Sequence, residues 1–209
     1  MSAKSVALIT LSVRAARAGG NIASFVQPFF QKALAPANVK LSPVDLKDFN
    51  LPIFTENVAP AMIPAMGQFQ QETSEAWSAE IAKYDGYIIV IPEYNGGVSG
   101  GAKNAIDYLF NEWKGKPLTI VSYGSRGGSR ASDQAKDILS GVGLKVTETR
   151  PQLAFANPMA EVKDLMAEGK LSDESKAKWL EQSGEITKAA EELKELLLQT
   201  IDEAIAPPS

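Results

Sequence analysis

The order of apolar patterns along the chain is the feature that most restricts its fold. Segments with apolar residues at helical spacing alternate with short β-favouring runs, namely Val6–Leu11, Val39–Leu46, Tyr87–Ile91 and Pro117–Ser122. Such alternation is typical of a parallel sheet with helices on both faces. The third run is apolar throughout, as expected of a strand covered on both faces. The sequence therefore predicts an α/β fold with a five-stranded parallel sheet, whose fifth strand lies within 146–155.

The helical patterns predict one domain over residues 1–209, with a core at about 1–160 and a C-terminal helical extension at about 172–205. Pro28 interrupts the first pattern, so that helix either begins late or kinks. Ser172 is a predicted N-cap, and an apolar stripe continues from Ile186 to Ile201. The segment from Lys47 to Gly67 holds three prolines and is predicted to be an irregular loop.

Composition excludes several classes of function. A net charge of −4 argues against a nucleic-acid partner, since phosphate contacts need clustered Lys and Arg. No apolar run has the length of a membrane span, and the N-terminus lacks a signal-peptide pattern, so we expect a cytoplasmic protein without a membrane partner. The absence of Cys and His excludes thiolate and histidine metal sites and a Ser-His-Asp triad. Any enzymatic chemistry is then expected to belong to a bound cofactor.

Ligands of parallel sheets bind beyond the carboxyl ends of the strands, which draws attention to three polar loops. The first loop, after the first strand, carries Ser12, Arg14, Arg17 and Asn21 before a predicted helix. A helix N-terminus and two arginines suit a phosphate. A solvated basic loop that binds nothing explains the same residues equally well.

The second loop is Pro92-Glu93-Tyr94-Asn95-Gly96-Gly97, directly after the buried third run. Its glycines allow close approach of a ligand to the backbone, and its aromatic ring could cover a flat heterocycle. An Asn-Gly surface turn is the alternative, but it leaves the other residues unexplained. The third loop, Ser122 to Ser129, again joins an aromatic residue to small ones, although alone it is equally typical of a flexible loop.

Together the three loops suit a mononucleotide with a planar ring lying across the strand ends, which is how a flavodoxin-like sheet holds FMN. The second loop and its continuation, Gly101-Ala102-Lys103-Asn104-Ala105-Ile106-Asp107-Tyr108-Leu109, resemble the signature of the NADPH-dependent FMN reductase family. The segments Ser12-x-Arg14-x-x-Arg17 and Glu112 to Gly128 are similar to its phosphate loop and to its quinone-reductase branch. The likeness spans about residues 5–158.

The resemblance implies a flavodoxin-like fold and a set of FMN-binding residues. Ser12, Arg14, Arg17 and Asn21 would hold the phosphate. The isoalloxazine ring would lie between two further groups, Pro92, Glu93, Tyr94, Asn95 and Gly96 on one side and Ser122, Tyr123, Gly124 and Gly127 on the other. Members of the family are usually homodimers, and some are tetramers. The chain departs from the pattern at Leu11, where the family usually has the glycine of a tight turn.

The resemblance implies an FMN-dependent NAD(P)H oxidoreductase with NADPH or NADH as co-substrate. Flavin N5 would carry the hydride to a small-molecule acceptor such as a quinone or free flavin, and no protein side chain would be catalytic. Nitro, azo or metal acceptors are alternatives within this class. From a different class, a flavin-loaded redox-sensing module that binds a protein partner remains open, and an electron carrier is a weaker third reading.

Overall fold

A parallel sheet forms the centre of the molecule. The structure is a computed structural model that describes residues 4–205, with side chains described for residues 4–199. Its strands are β1 (Ser5–Thr10), β2 (Lys40–Asp45), β3 (Gly86–Tyr94), β4 (Gly97–Val98), β5 (Pro117–Gly124), β6 (Lys145–Val146) and β7 (Gln152–Ala154). Neighbouring strands follow the order β2-β1-β3-β5-β6, and β7 also pairs with β5. All these pairings are parallel, which confirms the predicted sheet and its flavodoxin-like strand order.

In the described part of the chain the sheet nevertheless has seven strands, because the fifth position is divided and β4 is added. β6 pairs with the beginning of β5, and β7 pairs with its end. Between them, the carboxylate of Glu192 on the C-terminal helix accepts hydrogen bonds from the Thr149 amide at 2.8 Å and the Thr149 hydroxyl at 2.6 Å. Pro151 has no amide to donate to a ladder. These two features interrupt the strand that the sequence predicts within 146–155.

Seven α-helices connect and cover these strands in the described part of the chain. They are α1 (Gly19–Leu34), α2 (Glu72–Ala82), α3 (Gly100–Asp107), α4 (Ser129–Gly141), α5 (Pro158–Glu168), α6 (Asp173–Glu181) and α7 (Ser183–Ile205). Residues of α2, α3 and α4 pack on one face of the sheet. Residues of α1, α5, α6 and α7 pack on the other. The sheet is therefore covered on both faces, as predicted.

Two helical details differ from the expectations. α1 begins at Gly19 and runs through Pro28, so it does not begin late. The sequence patterns did not predict α5. Ser172 is the N-cap of α6 and accepts a hydrogen bond from the Ser175 amide, which confirms that prediction. The apolar stripe of α7 is buried from Ile186 to Leu197, while the Ile201 side chain lies outside the described ones.

The segment between β2 and α2 is mostly irregular, as predicted, with short 3-10 turns at Leu46–Phe49 and Pro60–Met62. It is fastened to α3. The Asn104 side chain donates to the Pro52 carbonyl at 2.7 Å and accepts from the Phe54 amide at 2.9 Å. The Tyr108 hydroxyl donates to the same carbonyl at 2.9 Å. Among the helices described, none combines the length and the apolar character needed to cross a bilayer.

Candidate functional site

The three polar loops lie next to one another at the carboxyl edge of the sheet. β3 is the neighbour of both β1 and β5, with Thr10 paired to Val90 and Pro92 paired to Tyr123. The first and second loops are in contact, because the Arg14 guanidinium lies 5.3 Å from the centre of the Tyr94 ring. A cation over an aromatic face is attracted to it. The loops thus form one continuous surface, as the parallel-sheet prediction requires.

The first loop presents backbone amides that donate to no acceptor among the described residues. Within the described residues, none of the amides of residues 12–18 donates a hydrogen bond to a protein acceptor. The loop leads into α1, whose first turn has neither a capping side chain nor an acidic residue. Free amides and the positive end of a helix dipole favour an anion. The backbone of this loop is therefore suited to hold a phosphate.

Two buried hydroxyls beneath the loop also lack partners. Ser12 is fully buried and Tyr123 is 5% exposed, yet neither Ser12 Oγ nor the Tyr123 hydroxyl has a hydrogen-bond partner in the described part of the chain. Both lie against Gly19, where a Cβ would stand 2.2 Å from Ser12 Oγ and 3.2 Å from the Tyr123 oxygen. Unsatisfied buried hydroxyls are costly. Their position at the start of α1 adds polar groups to the same anion site.

The buried Tyr123 ring does not form an exposed surface against which a flavin ring could stack. The ring packs in the core on the α1 side, 6.2 Å from the centre of the Phe155 ring. Burial raises the pKa of Tyr123 well above its ordinary value, and the nearby Ser12, Arg14 and Arg17 side chains only partly offset this effect. The hydroxyl therefore stays protonated and remains a donor.

Arg17 is engaged by the protein itself. It forms a two-pronged ion pair with Asp45 at the end of β2 and donates to the Ser12 carbonyl. The hydrogen bond with Asp45 raises the pKa of Arg17 above its ordinary value, despite partial burial. This pair fixes the backbone of the first loop. Arg17 thus shapes the predicted phosphate site, whereas its direct contact with a phosphate stays a prediction.

Arg14 and Asn21 lie at the surface of the first loop. Arg14 is exposed, and within the described residues it contacts the Tyr94 ring and donates to the Ala16 carbonyl at 3.1 Å. Asn21 donates to the Gly169 carbonyl at the end of α5 at 3.0 Å. The end of α5 therefore borders the predicted phosphate site.

The second loop is a tight hairpin. Asn95 and Gly96 both have positive φ, at 51° and 76°, and Glu93 and Tyr94 pair in antiparallel fashion with β4. This geometry is typical of a two-residue type I′ turn. The Asn-Gly turn is therefore present, and Pro92 is buried at the end of β3 before it. A turn of this kind leaves the face of the half-buried Tyr94 at the loop surface, under Arg14.

Glu93 serves a structural purpose at the neighbouring helix. Its Oε2 accepts from the Arg130 amide at 3.0 Å and the Ala131 amide at 3.4 Å. These amides belong to the first turn of α4, which has no side-chain cap of its own. A carboxylate at this position satisfies free amides and complements the helix dipole. The α4 N-terminus is thus occupied, unlike that of α1.

The third loop folds back onto its own strand. Ser122 Oγ donates to the Gly127 carbonyl at 2.8 Å, and the Gly124 carbonyl accepts from the Gly127 and Phe155 amides. Gly127 and Gly128 have φ of 77° and 76°. A Cβ at Gly128 would stand 2.8 Å from the Tyr123 nitrogen, so only glycine fits this return. These hydrogen bonds hold the third loop in one conformation, which argues against the alternative of a flexible loop.

Leu11 occupies the core instead of the ligand side. It is 2% exposed and packs with Trp77 and Ile89, and its amide continues the sheet by donating to the Val90 carbonyl at 3.0 Å. Its φ is not among the positive ones. The backbone at this position therefore needs no glycine.

Sequence reasoning missed two residues at the site. Asp45 orients Arg17 from 28 residues away, and no local pattern could reveal that pairing. Arg130 is exposed on α4 and covers the second loop, with its Nη1 3.0 Å from the Cβ position of Gly96. Its position in the first turn of α4, shortly after the Gly127-Gly128 pair, is the sequence feature that could have indicated its place at the site.

Comparison with known proteins agrees with this geometry. The profile of the NADPH-dependent FMN reductase family matches residues 5–158. An NAD(P)H-dependent FMN reductase of Nectria sp. is 47% identical over 197 residues, covering 93% of this chain and 97% of the relative. The NAD(P)H-dependent FMN reductase of Saccharomyces cerevisiae is 35% identical over 145 residues, covering 68% of this chain and 76% of the relative.

Solved structures share the fold. The flavoenzyme NAD(P)H:(acceptor) oxidoreductase from Paracoccus denitrificans superposes with a TM-score of 0.65 at 23% identity, covering 92% of this chain and 98% of that one. An oxidoreductase from Corynebacterium diphtheriae reaches a TM-score of 0.66 at 18% identity, covering 94% and 98%. With a family profile over residues 5–158 and a relative aligned over nearly its whole length, the chain belongs to the NADPH-dependent FMN reductase family of oxidoreductases.

Proposed function

We propose that this chain binds FMN across the three loops and transfers hydride from NADPH or NADH, through the flavin, to quinones or free flavin. The observation that carries the proposal is the first loop. Its free amides, the uncapped start of α1 and two unsatisfied hydroxyls converge at one edge of the sheet. This donor set suits a dianionic phosphate, which FMN carries and riboflavin lacks.

The phosphate end of FMN is assigned to Ser12, Arg14, Arg17 and Asn21. In this assignment the backbone amides and the Ser12 hydroxyl donate to the phosphate, and Arg14 adds a positive charge. Arg17 acts mainly by holding the loop through Asp45, with which it is already paired. The Asn21 amide group joins α1 to the end of α5 and so closes one side of the site.

The ring end is assigned to the second and third loops. It comprises Pro92, Glu93, Tyr94, Asn95 and Gly96, with Ser122, Gly124 and Gly127 on the facing loop. The positive φ at Asn95 and Gly96 brings backbone close to the surface without an intervening side chain at the glycine. Tyr94 offers an aromatic face beside it. Ser122 contributes by fixing the Gly127 carbonyl rather than by an open hydroxyl.

Bound FMN supplies a flavin N5 that can accept a hydride and pass it on. The protein then needs to orient the rings and to restrict water, and a side-chain acid or base is not required. The chain has no histidine, and the carboxylate of Glu93 is committed to the α4 amides. These features fit chemistry that belongs to the cofactor. We extend the proposal to a homodimer or tetramer, as the family resemblance implies, and to a cytoplasmic location.

An absorbance spectrum of the purified protein tests the proposal. A flavin spectrum that bleaches on addition of NADPH under nitrogen, and returns when a quinone is added, is the expected result. Rates with NADH and NADPH, and with quinone, azo and nitro compounds, then rank the co-substrates and acceptors. A protein that neither contains nor takes up FMN contradicts the proposal. A protein that is reduced but reoxidised by no added acceptor supports the redox-sensing alternative instead.

A further inference from the structure

The buried hydroxyl of Tyr123 has no role in the fold that the structure reveals. Tyr123 lies near the carboxyl end of β5, the strand whose following loop is assigned to the flavin ring. Its hydroxyl reaches under the first loop, next to Gly19 and Ser12. A buried tyrosine normally donates its hydroxyl proton to a protein acceptor. Tyr87, at the other end of the same sheet, does so towards the carbonyls of Ile81 and Glu112, each at 3.0 Å. Tyr123 makes no such bond in the described part of the chain, although Ser12 lies near enough to offset part of the rise that burial causes in the pKa of Tyr123.

The hydrogen-bonding capacity of the two hydroxyls indicates that an acceptor beyond the described protein groups is needed. Ser12 Oγ and the Tyr123 hydroxyl both border Gly19 without being bonded to each other, and each can donate one proton. If Tyr123 donates to Ser12, the serine proton still needs an acceptor. No described protein group accepts it. The surroundings are the free amides of the first loop and the start of α1, which attract an anion.

We propose that Tyr123 is a positioning residue of the phosphate site: when a ligand phosphate is bound, Tyr123 donates to Ser12 Oγ and the serine donates to a phosphate oxygen. Because Tyr123 also follows Ser122 on β5, one strand end then serves both the ring and the phosphate of the ligand. This inference rests on the proposed FMN site. It assigns Tyr123 to the phosphate end, whereas the sequence resemblance assigns it to the ring.

The test compares two ligands that differ only in the phosphate. The full-length protein is freed of flavin and titrated with FMN and with riboflavin, and quenching of flavin fluorescence gives each Kd. The measured quantity is the ratio of the riboflavin Kd to the FMN Kd. For Tyr123→Phe we expect this ratio to fall about threefold to tenfold, as for one lost hydrogen bond. The riboflavin Kd itself should stay unchanged.

A double substitution separates a relay from two independent contacts. Ser12→Ala should lower the ratio by about tenfold or more, since its bond to an anion is charge-assisted. Adding Tyr123→Phe to Ser12→Ala should cost nothing further, because the tyrosine acts through the serine. Tyr87→Phe is the matched control. It removes a buried tyrosine hydroxyl from the opposite end of the sheet, so it should lower stability and leave the ratio unchanged.

Three outcomes overturn the inference. An unchanged ratio in Tyr123→Phe, or an equal loss of both ligands, removes Tyr123 from the phosphate site. Effects of the two substitutions that multiply in the double variant refute the relay. If the unsubstituted protein itself binds FMN no more tightly than riboflavin, the phosphate site is wrong and the proposed function fails with it. The last outcome is visible before any variant is made.

Discussion

The two consecutive glycines of the third loop allow a quantitative test of the structure. Gly128 has φ of +76°, and an added Cβ would stand 2.8 Å from the backbone nitrogen of Tyr123 and 2.9 Å from its carbonyl oxygen. Alanine at this position therefore suffers both backbone strain and collision with backbone atoms that cannot rotate away. Gly115 isolates the first effect, because its φ is +77° but, its chain neighbours aside, no atom of the described residues lies within 4 Å of its Cβ position.

The magnitudes follow from these two environments. A left-handed backbone conformation destabilises alanine by about 1–2 kcal/mol relative to glycine. Alanine also makes the unfolded chain stiffer, which stabilises the folded state by about 0.4–1 kcal/mol. Gly115→Ala should thus lower the free energy of unfolding by about 1 kcal/mol. Gly128→Ala should lower it by about 3 kcal/mol, because overpacking adds about 1–3 kcal/mol. Gly141→Ala lies in α4, where no described residue apart from its chain neighbours and the adjoining helix backbone comes within 4 Å of its Cβ position, and should raise stability by about 0.5 kcal/mol.

Urea unfolding of the three flavin-free variants, followed by tryptophan fluorescence, measures these differences directly. Equal m-values are needed for the comparison. If Gly128→Ala is no less stable than Gly115→Ala, the close return of the third loop onto β5 is wrong. The proposed placement of Ser122 and Gly127 at the ring would then lose its structural basis.

Three further predictions concern charged groups. Burial tends to raise the pKa of Asp85, but its hydrogen bonds lower it overall, so its contribution to stability is lost as pH falls below about 4. Asp85→Asn should therefore lower stability at pH 6 more than at pH 3, measured by urea midpoints. Glu161 is fully buried and accepts both the amide and the hydroxyl of Ser172, so Glu161→Ala should cost about 3 kcal/mol and detach the C-terminal helices in hydrogen exchange. Asp45→Asn should release Arg17 and weaken FMN binding about tenfold in a fluorescence titration, and an unchanged Kd would refute the orienting role of the pair.

The sequence was sufficient for the sheet because its information is local. A run such as Tyr87–Ile91 is recognisable by composition alone, and the rules of βαβ connection restrict the possible topologies to a few. The flavodoxin-like order then followed from the expected mononucleotide ligand and the family resemblance. The division of the fifth strand was hidden, since it depends on Glu192, 43 residues away from Thr149 in the chain. The course of α1 through Pro28 was also uncertain, because packing against the sheet overrides a local preference.

For the site, residue type predicted location better than role. The three loops meet as expected, yet the carboxylate of Glu93 caps a helix and the Tyr123 ring lies in the core. Asn104, within the most recognisable motif, fastens the loop that follows β2. A motif shows that a residue is needed. Only its hydrogen-bond partners distinguish a structural contact from a ligand contact.

Both outer strands of the sheet are poor templates for another chain. β2 carries Pro43, which offers no amide to a ladder. At the opposite edge, β6 and β7 have only two and three residues and are separated by a break. Short, proline-bearing and interrupted edges discourage edge-to-edge polymerisation. Any assembly of this protein is therefore expected to join helices or loops, and crowding at high concentration should not draw its sheets into a common fibril.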